Sequence, residues 1–130
     1  MKYTIDRKES YTIIQLQEKQ LNSVIAPELK TALILMGNEG VKNIILDMTE
    51  VEFVDSSGLS AILVGHRMTD SENGVLILAN PQIQVTRLID ISRLDQILTV
   101  TESVQAGRDE VMRLEFERLT GGENVSDNES

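Results

Sequence analysis

The segment from Asn43 to Glu72 constrains the fold most, because it places an apolar strand before an apolar helix. The strand, Asn43 to Met48, is too apolar to have one wet face, which is typical of a parallel sheet covered by helices. The helix begins near Leu59 and continues without proline to Glu72. Asp55 and Ser56, between them, are both residues that cap helix N-termini well. This order predicts an α/β domain.

Ser57 therefore falls at or near the first helical position. There its hydroxyl group lies beside backbone N–H groups that have no partner within the helix, at the positive end of the helix dipole. Such a place tolerates added negative charge. Two interpretations stay open on these grounds alone: an ordinary helix cap, or an acceptor for phosphate.

The run from Phe53 to Leu59, Phe-Val-Asp-Ser-Ser-Gly-Leu with an apolar helix behind it, resembles the signature of STAS domains of the anti-sigma factor antagonist family. In that family, a partner that is both an anti-sigma factor and a serine kinase phosphorylates the second serine. The resemblance therefore implies that Ser57 is the phosphorylation site. It also implies that a separate serine phosphatase reverses the modification, and that the unphosphorylated chain binds the kinase and so frees a sigma factor.

The resemblance assigns further residues to the partner-binding surface. Asp55 would shape the loop, Ser56 and Gly58 would let the partner's backbone and ATP phosphate approach, and Leu59 with Ser60 would form part of the docking face. Family members usually carry Leu-Asp before the first helix, where this chain has Leu21-Asn22. The missing charge would alter partner affinity or ease phosphorylation, unless Asn22 is simply a loop residue.

The second helix predicts a docking patch from its own spacing. Leu59, Ile62, Leu63 and His66 share one face, while Ala61, Val64, Gly65 and Met68 share another. If one stripe faces the sheet, the other stays partly exposed beside Ser57, with Met68 as an adaptable contact. The alternative is that neighbouring helices cover both stripes.

Strand and helix patterns alternate along the rest of the chain after an initial hairpin. Together with the resemblance, they predict a STAS fold with a mixed sheet of about five strands and about four helices packed mainly on one face. The domain spans 1–119, and the acidic tail 120–130 is expected to be disordered. The predicted elements are strands over 2–6, 11–16, 43–48, 75–80 and 97–100, and helices over 26–33 (closed by Gly37 and Gly40), 59–72, 83–89 and 104–119, with Ser23 and Ser103 as candidate caps of the first and last helices.

Composition narrows the classes of partner. The chain has 130 residues, a net charge of −9, 3% aromatic residues and no cysteine. Nucleic-acid binding is improbable for such a surface, and a basic or neutral protein partner is favoured. No apolar stretch is as long as the apolar segment of a signal peptide or a membrane-spanning helix. We expect a cytoplasmic monomer without membrane insertion.

Catalytic and cofactor sites find no support in the sequence, and we expect no cofactor. The one histidine, His66, lies nine residues beyond Ser57 on the same helix, roughly 13 Å away. There is no Gly-x-Ser-x-Gly elbow and no phosphate-binding glycine loop. Asp47 and Asp55 are explained by turns and caps rather than by a metal. The alternative to the switch is a STAS scaffold subunit of a signalling or lipid-transport complex without sigma-factor control.

Overall fold

The computed structural model describes residues 1–121, so the predicted tail falls almost entirely outside the described residues. Two sheets and four helices form the domain. The strands are β1 (Tyr3–Arg7), β2 (Thr12–Leu16), β3 (Gln20–Leu21), β4 (Asn43–Asp47), β5 (Phe53–Val54), β6 (Val75–Ala79) and β7 (Thr99–Thr101). The helices are α1 (Ala26–Asn38), α2 (Ser56–Ser71), α3 (Ile83–Ile91) and α4 (Val104–Leu119), with a short 3₁₀ turn at Leu94–Gln96.

The main sheet is mixed and has the order β1-β2-β4-β6-β7. β1 and β2 form the predicted antiparallel hairpin, and the other neighbours are parallel. All five residues of β4 are buried, as its apolar sequence predicts. The predicted mixed sheet of about five strands is confirmed.

Alternate residues of the central strands enter two different cores, because successive strand residues point to opposite faces. Ile44, Leu46, Leu76 and Leu78 pack with α1, α2 and α3 on one face. On the other face, Ile13, Ile45 and Ile77 pack with Val111 of α4. Three helices thus lie on one face and α4 lies on the other, which agrees with the predicted arrangement.

A second, smaller sheet is the feature that positions the candidate site. β3 and β5 are two residues each and pair in parallel, with Gln20 beside Phe53 and Leu21 beside Val54. Glu52 N and Phe53 N both donate to the carbonyl oxygen of Lys19, at 2.7 and 3.1 Å. The ladder therefore fixes the segment that leads into α2 against the segment that leads into α1.

Candidate functional site

The start of α2 is held by Asp55, which is the N-cap residue. Its Oδ1 accepts a hydrogen bond of 3.0 Å from Gly58 N, satisfying one of the free donors of the first helical turn. The backbone N–H of Asp55 donates to Leu21 O at 3.2 Å, so the cap is also tied to the end of β3. Of the two candidate caps, Asp55 performs this role.

Ser57 is the second residue of α2 and is half-buried, while Ser56 before it is exposed. Because Asp55 already caps the helix, the ordinary explanation of Ser57 as the cap residue is wrong. Its side chain stands in the first turn, where the N–H groups of the first two helical residues lack acceptors within the helix. This position can accept negative charge without breaking the helix.

Gly58 is buried against the neighbouring strand. A Cβ atom built on it would lie 2.3 Å from Leu21 O and 2.8 Å from Val54 Cγ1. Real contacts of this kind are never so short, so a side chain here would push β3 away from α2. The glycine therefore serves the internal contact between these two segments, whatever access it also gives to a partner.

Asn22 follows β3 directly and organises the loop into α1. Its Oδ1 accepts from Val24 N at 3.0 Å and from Ile25 N at 3.3 Å, and its Nδ2 donates to Gln20 Oε1 at 3.1 Å. The helix itself has no side-chain cap bond, so the prediction of Ser23 as its cap is wrong. An aspartate could accept the same two backbone bonds, so Asn22 preserves the loop while removing the charge.

The predicted docking residues divide between the two ends of α2. Leu59 and Ser60 are half-buried near its start, two and three residues after Ser57. Met68 is half-buried near the last turn, and a Cβ added to Gly37 of α1 would lie 2.5 Å from Met68 Sδ. Met68 thus packs between α1 and α2, roughly 16 Å along the helix from Ser57. Its docking role stays a prediction.

The buried face of α2 draws on both predicted stripes. It consists of Gly58, Ala61, Ile62, Gly65 and Thr69, of which Ile62 belongs to the first stripe and Ala61 and Gly65 belong to the second. Small residues dominate this face because α1 and the sheet approach closely: a Cβ on Gly65 would lie 3.0 Å from Leu33 Cδ1 and 3.2 Å from Leu76 Cδ2. Each predicted stripe therefore combines buried with half-buried residues, and neither stripe is fully exposed.

The charge around the site is negative. From Asn43 to His66 the sequence contains Asp47, Glu50, Glu52 and Asp55 but no lysine or arginine. Asp47 is used internally, since its Oδ1 accepts from Thr49 N and Thr49 Oγ1 at 3.1 and 2.6 Å. Among residues 1–121, no three His, Cys, Asp or Glu residues are grouped so that they could hold a metal ion.

Two exposed apolar residues near the site were not predicted as partner contacts. Phe53 in β5 is 59% exposed, and Val24 in the loop before α1 is 74% exposed. Sequence patterns do not predict the exposure of Phe53, because an apolar residue in a strand is usually buried. None of the helices within residues 1–121 has both the length and the apolar composition that a membrane-spanning segment needs.

Comparison with known proteins adds a family assignment to this geometry. A family model of the STAS domain matches residues 2–107. The anti-sigma-B factor antagonist of Bacillus subtilis is 25% identical over 108 residues, covering 82% of this chain and 98% of that protein.

Solved structures share the fold. The NMR structure of TM1081 from Thermotoga maritima has a TM-score of 0.76 and 24% identity, covering 87% of this chain and 90% of that one. The phosphorylated form of the Bacillus cell fate determinant SpoIIAA has a TM-score of 0.67 and 21% identity, covering 85% and 99%. At these identities the likeness shows the fold alone.

Proposed function

This chain belongs to the STAS domain family, and from that premise we propose that it is an anti-sigma factor antagonist switched by phosphorylation of Ser57. Unphosphorylated, it binds an anti-sigma factor that is also a serine kinase, and the sigma factor held by that kinase is released. Phosphorylation ends the binding, and a serine phosphatase restores it. The chain acts as a cytoplasmic binding module and not as an enzyme.

The position of Ser57 is the observation that carries the proposal. It lies at the second residue of α2, partly accessible, in a helix whose cap is supplied by Asp55. The kinase can thus phosphorylate the Ser57 hydroxyl without breaking the hydrogen bond from Gly58 N to Asp55 that caps the helix. A serine that capped the helix would be a poor substrate, because its phosphorylation would break the cap and destabilise the fold.

The charge balance explains how phosphate could separate the complex while leaving the domain folded. A phosphoserine carries roughly −1.5 to −2 charges at neutral pH. Within this chain, the free N–H groups of the first turn and the helix dipole offset that charge. In the complex, the new phosphate faces the remaining phosphates of the kinase-bound nucleotide, which repel it. Phosphorylation therefore destabilises the complex more than it destabilises the folded domain.

Phosphorylation and binding can be tested with the purified chain and each anti-sigma factor serine kinase encoded in the same genome. With ATP, we expect one kinase to add a single phosphate, and Ser57→Ala to accept none while still binding that kinase. Ser56→Ala is the matched control, because Ser56 is the neighbouring exposed serine, and it should still be phosphorylated. Equal phosphorylation of Ser57→Ala and the parent chain would refute the assignment.

A further inference from the structure

An exposed phenylalanine stands beside the proposed switch. Phe53 is 59% exposed although it lies in a strand, and its side chain belongs to neither core. Val24, in the loop between β3 and α1, is 74% exposed. Large apolar side chains are costly to leave in water, so such a pair near a functional residue is typical of contact surfaces.

The small sheet fixes these residues around a shallow depression. Phe53 forms one side of it, and the Asn22-Ser23 segment forms the other, with Val24 immediately beyond. The parallel pairing of β3 with β5 and the bonds made by Asn22 hold both sides in place. The depression is lined by Gln20, Asn22, Ser23, Phe53, Val54 and Asp55.

A kinase that reaches Ser57 must also cover this surface. Phe53 is four residues before Ser57, which limits their separation to about 14 Å. A standard protein interface buries about 800 Å² on each partner, equivalent to a disc of about 16 Å radius. Centred on Ser57, such an interface includes Phe53.

The charge near Phe53 indicates the chemistry of the partner surface. Glu50, Glu52 and Asp55 surround Phe53 in the sequence, and no basic residue occurs between 43 and 66. Lys19 is the basic residue of the neighbouring segment, where its carbonyl oxygen accepts from Phe53 N. Buried contact with these carboxylates is favourable only where the partner supplies cations.

We propose that Phe53, supported by Val24, is the apolar anchor of the complex and enters an apolar pocket edged by Lys or Arg on the anti-sigma factor serine kinase. This inference rests on the proposed function and adds to it the residues that determine affinity. Ser57 controls whether the complex forms, whereas Phe53 sets how tightly the unphosphorylated chain binds. Because the edge of the pocket is basic and the surface around Phe53 is acidic, binding should weaken as the salt concentration rises.

The chain offers a matched control, because it has only two phenylalanines and both are exposed. Phe116 is 65% exposed and lies on α4, on the other face of the sheet. The test measures binding of purified Phe53→Ala, Val24→Ala and Phe116→Ala to the kinase with ADP, by calorimetry. We expect Phe53→Ala to bind at least about tenfold more weakly, as removal of an aromatic anchor does. Val24→Ala should lose severalfold, and Phe116→Ala should bind within about twofold of the parent.

Each outcome decides the inference. Parent-like affinity of Phe53→Ala, or an equal loss in Phe116→Ala, would overturn it while leaving the proposed function intact. Failure of the parent chain to bind any of the kinases would overturn both. Circular dichroism and urea unfolding verify that each variant is folded. If Phe53→Ala does not fold, Val24→Ala still decides the inference, because a side chain as exposed as Val24 contributes little to stability.

Discussion

Replacing Gly58 with alanine tests the contact that holds the switch region together. Helix propensity alone favours alanine over glycine by up to about 1 kcal/mol. The structure predicts the opposite sign, because the new Cβ would lie 2.3 Å from Leu21 O, a backbone atom that cannot move without its strand. Forcing atoms into such a space costs typically about 1–3 kcal/mol. Because the blocking atom belongs to the backbone, the cost falls at the upper end of that range, about 3 kcal/mol, and after the gain in helix propensity we expect Gly58→Ala to be destabilised by about 2 kcal/mol.

Gly107→Ala is the matched control, since Gly107 is also a buried helical glycine. There the new Cβ would lie 3.4 Å from its nearest neighbours, an ordinary contact distance. Its free energy of unfolding should equal or exceed that of the parent, by up to about 1 kcal/mol. Urea unfolding of both variants, followed by circular dichroism, measures the difference. A Gly58→Ala chain as stable as the parent would refute the argument from close approach.

Three further predictions concern stability. Asp55→Ala should lose about 1 kcal/mol in urea unfolding by removing the cap of α2, whereas Asp55→Asn should retain most of it; equal losses would contradict the cap. Asn22→Asp should match the parent in thermal unfolding within about 0.5 kcal/mol, while Asn22→Ala should lose about 1 kcal/mol of loop stability. A hydrogen bond from Asn43, with Arg118 nearby, holds the pKa of Glu115 below its usual 4.5. The stability that the ionised Glu115 carboxylate contributes is fully present at pH values above 4.5 and is lost as the pH falls through the lowered pKa. Glu115→Gln should therefore be less stable than the parent at pH 7, and the difference should shrink as the pH falls below 4.5, as measured by urea unfolding over that range.

The strongly patterned elements could be predicted from the sequence. The run from Asn43 to Met48 holds three consecutive aliphatic residues, 44–46, and such a run is typical of a strand with both faces covered. Ser103 was expected to cap the last helix, and its Oγ accepts from Ala106 N at 2.9 Å. In both cases the decisive signal is local, so the sequence suffices.

The geometry of the candidate site depends on contacts between distant segments and could not be predicted in the same way. β3 and β5 have two residues each, too few for any periodicity, and their pairing joins residues more than 30 positions apart. The close approach at Gly58 follows from that pairing, whereas the loop bonds of Asn22 are local contacts with residues two and three positions away. The buried face of α2 was predicted only in part, because hydrophobic periodicity follows large side chains, whereas this face is rich in glycine and alanine.

Mapping phosphate in the protein taken from its own cells tests the central claim most directly. The chain would be isolated from growing and from stressed cells and analysed by mass spectrometry, with the occupancy of Ser57 compared between conditions. The switch predicts phosphate on Ser57 in a fraction that changes with condition, and none on the neighbouring Ser56. Absence of phosphate at Ser57 under every condition would contradict it.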